Sequence, residues 1–254
     1  MNQTLYLFLF FIICPVLLSQ SFNEFLAKGD EFYKKFDLEN AANNYEEAYK
    51  INSDSYSALL KVTRIYNDLG EDYYEIKDDK NAEIVVNKAV KYAEIFASKF
   101  PDSAKVYALL AMSYGNLALY KGGNEKLKLA YKIKENAEKS INKDSTDYLP
   151  YIILSIYYRQ IASLSWFERT FANIFFGKVP EGSLDESERM MLKALKIQPG
   201  IVIAMFHLSL TYDEMGNKKK EIEWLNKTVN APITDFRDKY AKRKAQDKLT
   251  DLIG

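Results

Sequence analysis

His207 is the only histidine of the 254-residue chain and Cys14 its only cysteine. A protein metal site takes three or four ligands, so a lone imidazole with no thiol nearby reads as a packed side chain and not a metal centre. Any Ser-His-Asp set would have to rest on His207 alone, which sits between Phe206 and Leu208 on a predicted helix. Gly122-Gly123 lacks the preceding strand and the Gly-Lys-Ser/Thr run of a phosphate cradle, and reads as a helix stop and turn. The acid pairs Glu46-Glu47 and Asp78-Asp79 fall on charged helix faces, where water solvates them. These residues predict no enzyme, no cofactor and no metal. Lysine plus arginine, 35, balances aspartate plus glutamate, 35. That balance removes the basic field that drives general nucleic-acid binding.

The elements that hold these residues are helices. Hydrophobic residues make up 48% and charged residues 28%, a globular composition, and only 10 glycines and 6 prolines leave few turns for a β fold. Residues Met1 to Asn23 carry no charged side chain, and Leu5 to Leu18 is nearly unbroken apolar sequence. At about 1.5 Å per residue that run is short for a hydrocarbon core of roughly 30 Å. It reads as a signal peptide over residues 1–20, cut near Ser19 or Gln20, which predicts export to a periplasm or exterior. An uncleaved anchor is the alternative. Cys14 leaves with the leader, so the mature chain, residues 21–254, must be held by packing alone.

From Phe22 onward, small and aromatic residues return at helical spacing. Counting from Phe22 as position 1 of a 34-residue unit, Gly29 is at 8, Phe32 at 11, Ala41 at 20, Tyr45 at 24, Ala48 at 27 and Ser53 at 32. Tyr66 falls 34 residues after Phe32, and Tyr114, Tyr158 and Tyr212 continue the series at wider intervals. Pro101, Pro199 and Pro232 close second helices. Small residues let two antiparallel helices approach, and the aromatic fills the gap between one pair and the next. This pattern resembles the tetratricopeptide repeat. It predicts an all-α, right-handed α-solenoid of about five helix pairs, closed by a capping helix from Asp235 to about Leu252.

In such repeats defined positions of each first helix face a concave groove. They are Arg64 and Asn67 in the second pair, Met112 and Asn116 in the third, Ile152, Ile156 and Arg159 in the fourth, and Ile203, Phe206 and Leu210 in the fifth. The later half of that groove is apolar and needs covering. A protein or peptide partner, a lipid chain, or the chain's own aromatic insertion would serve. Leu26 and Asp30 stand where chaperone-tail binders carry a lysine and an asparagine, which argues against that partner type.

The insertion spans residues 161–183 and carries Trp166, Phe167, Phe171, Phe175 and Phe176. Ile161, Leu164, Phe167 and Phe171 share one helical face, with Ile174 and Phe175 continuing it, and Ser183 with Glu186 reads as a capping box for the next helix. The Ser165-Trp166-Phe167-Glu168-Arg169 core, the Tyr120 to Ile141 stretch and the Leu208 to Tyr212 segment with Pro232 and Asp235 resemble the regulator of microtubule dynamics family, over roughly Val106 to Leu252. That resemblance implies a noncatalytic helical scaffold. Eukaryotic relatives are associated with microtubules and with membrane contact sites, where some are thought to bind or move phospholipid. It therefore adds phospholipid or a membrane surface to a protein or peptide as the partner classes. From Lys218 to Lys248 ten basic residues face five acidic ones, an excess read here as the solvated face of the capping helix.

Overall fold

The structure is a computed structural model that describes residues 20–253, the side chains of Trp166, Phe167 and Ile253 excepted. The chain folds as α1 (20–34), α2 (Leu38–Ile51), α3 (Tyr56–Glu75), α4 (Asp79–Lys99), α5 (Ala104–Ala118) and α6 (Gly123–Lys143). It continues as α7 (Leu149–Ala162), α8 (Trp166–Phe175), α9 (Leu184–Ile197), α10 (Val202–Glu214), α11 (Lys218–Asn230) and α12 (Phe236–Ile253). No strand occurs among the described residues. The hairpins are α1/α2, α3/α4, α5/α6, α7/α9 and α10/α11, which bears out the expected all-α solenoid of five pairs and a final helix. The leader, residues 1–20, falls almost wholly outside the described residues.

Three of the turns inside a pair are set by one device. Asp37, Asp78 and Asn217 each accept the backbone N–H three residues on, at 3.2 Å, and so start α2, α4 and α11. Small residues then allow close approach. A Cβ on Gly29 would stand 2.4 Å from the Tyr45 ring, and one on Gly70 2.4 Å from a Val86 methyl. Ala41, Ala48, Ala89, Ala93, Ala111 and Ala194 are fully enclosed.

The repeated tyrosines do more than fill space. Tyr114 donates to Glu94 on the preceding second helix at 2.9 Å, and Tyr212 donates to Glu188 at 2.5 Å. Tyr66 lies beside Glu46, which also receives the Tyr92 hydroxyl at 3.0 Å. A lysine of the following second helix lies over each ring, Lys88 over Tyr66 at 4.7 Å, Lys132 over Tyr114 at 4.8 Å and Lys220 over Tyr212 at 4.7 Å, and Lys88 and Lys220 also reach the same glutamates at 3.5 and 3.0 Å. Each of these junctions is thus a Glu–Tyr–Lys cluster, which joins apolar burial to a hydrogen bond and a cation–π contact. Tyr158 breaks the series. It is half-buried, packs edge-on to Tyr157 at 5.5 Å, and precedes the insertion.

The insertion departs from the expected single stripe. α7 stops at Ala162, and Ser165 starts a separate helix through a full capping box with Glu168. Ile161 and Phe171 therefore lie on different helices. At the next start Ser183 accepts from the Glu186 N–H at 3.2 Å, but the Glu186 carboxylate turns to Arg189, so only half of the expected box forms. Arg169 ties the insertion down by donating to the Pro180 carbonyl at 2.9 Å and the Ile161 carbonyl at 2.7 Å. Gly182 passes directly over the end of α7, where an added Cβ would be 2.1 Å from the Ala162 nitrogen.

The final helix also differs from expectation. A simple cap would cover α11 and face water. α12 instead places Ala241, Ala245 and Leu249 on Phe206 and Leu225, and directs Phe236 and Tyr240 into the core around Leu38, Val62, Tyr66 and Leu69. Two apolar faces on nearly opposite sides of one helix allow it to bridge both ends of the solenoid.

Candidate functional site: the inner face of the solenoid

The first helices of successive pairs touch in order, α3 to α5, α5 to α7 and α7 to α10, and α12 then touches both α10 and α3. The expected groove is therefore a closed inner layer of five helices. Its polar side chains form a chain of hydrogen bonds. Asn67, fully buried, donates to the Thr63 carbonyl at 3.0 Å and to Ser113 Oγ at 2.8 Å. Asn116 donates to Asn67 Oδ1 at 3.1 Å and reaches Glu71 Oε1 at 3.4 Å. Glu71 accepts from Arg237 of α12, whose guanidinium also donates to the fully buried Asp68. Asp68 takes the Tyr33 hydroxyl at 2.8 Å and lies 3.6 Å from Arg64 Nε.

Charge is balanced tightly here. Burial works against the Arg237 charge, but Asp68, Glu71 and Asp235 hold its pKa well above the ordinary arginine value. Burial raises the Glu71 pKa, and Arg237 only partly offsets it. Further along the same face Tyr240 donates to Asp72 at 2.7 Å, and Lys244 bonds to Glu75 at 2.5 Å.

A second cluster lies between α7 and α10. Arg159 donates to Glu214 Oε1 at 2.8 Å and approaches His207 Nδ1 at 3.3 Å, and Ser163 also bonds to Glu214. Because a guanidinium can only donate, Nδ1 accepts and the ring proton sits on Nε2. Burial, then the charges of Arg159 and Lys244, push the His207 pKa down to about 3. The histidine is a neutral packed acceptor. Among the described residues no group of three or more histidine, cysteine, aspartate or glutamate side chains could hold a metal ion.

The residues expected to line the groove fall into several clusters. Arg64, Asn67 and Asn116 meet in the network around Arg237, and Arg159 joins His207 and Glu214. Met112 packs on the cluster that contains Leu59 and Leu109. Ile152 is buried and Ile156 half-buried in the core around Leu154 and Leu208. Ile203, Phe206 and Leu210 lie in the core with Ala241, Ala245 and Leu249 of α12, which supplies the covering that the apolar half required. The insertion does not supply it. α8 rests on α6, with the Phe176 ring against Gly123, and Ile174 and Phe175 remain 70% and 65% exposed. Trp166 and Phe167 lie outside the described side chains.

Arg237, Glu71, Asp72, Glu75 and Lys244 were not among the expected site residues. Their signal was present as acids at 68, 71, 72 and 75 on one helical face and as bases at 237 and 244 on one face of another helix, with Lys239 off that stripe. Nothing local in either set shows that they meet.

The fold and its pairwise stacking define a tetratricopeptide-type helical repeat protein. A thermophilic tetratricopeptide protein from Thermus thermophilus superposes with a TM-score of 0.66 at 16% identity, over 89% of this chain and 98% of that one. A family model for regulator of microtubule dynamics proteins 1–3 matches residues 25–253, and the chain belongs to that family. The match runs through the amino-terminal pairs as well as the carboxy-terminal half that carried the resemblance. Mouse regulator of microtubule dynamics protein 1 is 26% identical over 230 residues, which are 90% of this chain and 74% of that protein. Rat regulator of microtubule dynamics protein 3 is 26% identical over 197 residues, 77% of this chain and 41% of that protein.

Proposed function

We propose that the chain is a noncatalytic scaffold that binds a protein or peptide partner through the inner layer of its solenoid. The observation that carries this reading is the polar lining. Arg64 keeps about half of its side chain exposed at the edge of the network that holds Asn67 and Asn116, and Arg159 lies in a second network on the same inner layer, a place where a purely structural core would be apolar. Buried polar networks of this kind fix orientation and give specificity to whatever meets them. The tetratricopeptide fold supports a binding scaffold, and the names of the relatives fit a regulatory protein. The polar groups around His207 are engaged in packing, which supports the noncatalytic part.

The test is photo-cross-linking in the source cell. A cross-linking amino acid at Arg64 or Ile156 is expected to trap a defined partner band, and one at Lys91 on the outer face to trap none. Equal patterns from inner and outer positions would contradict the reading. Export is a separate proposal resting on residues 1–20, and the amino-terminal sequence of the protein recovered from cells tests it.

A further inference from the structure

A solenoid is ordinarily one-dimensional, each repeat touching only its neighbours. Here α12 crosses that order and reaches α3. Arg237 bonds to Asp68 and Glu71, Lys239 and Tyr240 meet Asp72, and Lys244 meets Glu75. The sequence separations are 169, 166, 168 and 169 residues for Arg237–Asp68, Arg237–Glu71, Tyr240–Asp72 and Lys244–Glu75. A near-constant offset means that the two helices run parallel and in register over two turns.

The two faces of α12 differ in chemistry. Towards α10 and α11 it presents Ala241, Ala245 and Leu249, an apolar hold that has no competitor other than water. Towards α3 it presents Phe236 and a row of cations against a row of four carboxylates. A buried ion pair gains little net free energy, because desolvation cancels most of its attraction. A competing helix that brings cations, and aromatics in place of the buried Phe236 and Tyr240, can therefore replace it at small cost.

We propose that the contact between α3 and α12 is a releasable ionic clasp, and that α12 occupies in cis the seat of a helical partner segment carrying basic side chains at i, i+2 and i+7, the spacing of Arg237, Lys239 and Lys244. This rests on the reading of the inner layer as a partner-binding surface and names the partner's chemistry. Tethering gives α12 an effective concentration in the mM range, so a free basic helix binds weakly until the clasp is broken.

The test uses the intact chain with Cys14 replaced by serine and spin labels at Ile76→Cys and Gln246→Cys. Arg237→Glu sets an acid against Asp68 and Glu71. Its interlabel distance is expected to lengthen by about one helix diameter, ~10 Å. Adding Glu71→Arg to that variant restores the original distance. A fluorescent peptide of residues 233–253 is expected to bind the Arg237→Glu protein at least ~10-fold more tightly than the unaltered protein, as loss of a mM competitor requires. Should Arg237→Glu fail to fold, Lys244→Glu at the outer end of the clasp takes its place, with the same expectation. An unchanged distance in a folded variant overturns the clasp, and so does a peptide that binds no better once the distance has lengthened. Either result leaves the inner-layer cross-links to decide the scaffold reading on their own.

Discussion

At the scale of single residues, the inner layer is governed by how each buried charge is balanced. Arg237 is a positive group that touches both Asp68 and Glu71. Arg237→Ala leaves those carboxylates without that partner, and removing one member of a buried ion pair costs about 3–5 kcal/mol. Urea unfolding should register that loss as a lower midpoint with an unchanged slope. His207 behaves in the opposite way, because it is stable only when neutral. The unfolded imidazole takes a proton near pH 6.5 and the folded one only near 3. Between those values the unfolded state binds more protons, so stability falls as pH drops from 6.5 towards 3. His207→Gln, which keeps an acceptor for Arg159, should flatten the stability difference between about pH 7 and about pH 5. An unaltered difference would show that the ring is not enclosed as described. The packing role of the imidazole was legible along the chain, since one histidine without companion ligands makes no metal site. Its low pKa was not, because that comes from burial and from Arg159 and Lys244 on two other helices.

At the scale of elements, the Glu–Tyr–Lys clusters and the insertion are separate devices. Tyr212→Phe removes the hydroxyl donated to Glu188 but leaves Lys220 beside that carboxylate. A loss of about 1 kcal/mol is expected in equilibrium unfolding, typical of one hydrogen bond. Tyr158→Phe, at the junction that lacks the glutamate acceptor, should cost less than Tyr212→Phe. In the insertion, Gly182→Ala drives a Cβ into the Ala162 backbone. Hydrogen exchange is expected to speed up over residues 163–182 while α3 and α5 keep their protection. The helices themselves were legible from the spacing of Gly29, Ala41, Tyr66, Tyr114 and Tyr212, because repeat packing demands small and aromatic residues at fixed places. The break between α7 and α8 was missed for a physical reason. Ile161, Leu164 and Phe171 continue a helical stripe in sequence, but Ser165 and Glu168 satisfy the orphan N–H groups of a new helix start.

At the scale of the whole molecule, the solenoid is bent until its last helix meets its second pair. The pairs, their order and the polar positions Arg64, Asn67, Asn116 and Arg159 could be read along the chain. The closure could not, because it depends on accumulated rotation from pair to pair, and the insertion and unequal helix lengths alter that rotation. The excess of ten basic over five acidic residues from Lys218 to Lys248 was visible, yet its counterpart on α3 lies about 169 residues away. Closure also changes what the apolar residues Ile203, Phe206 and Leu210 do: they seat α12 and so hold the ring shut. Zero-length carbodiimide cross-linking of the unaltered protein, read by peptide mass spectrometry, addresses this closure most directly, since it joins lysines only to carboxylates already in contact. Links from Lys244 to Glu75 and from Lys239 to Asp72 are expected beside the internal reference link from Lys248 to Asp213. Recovery of the reference link without either of the other two would contradict a closed inner layer.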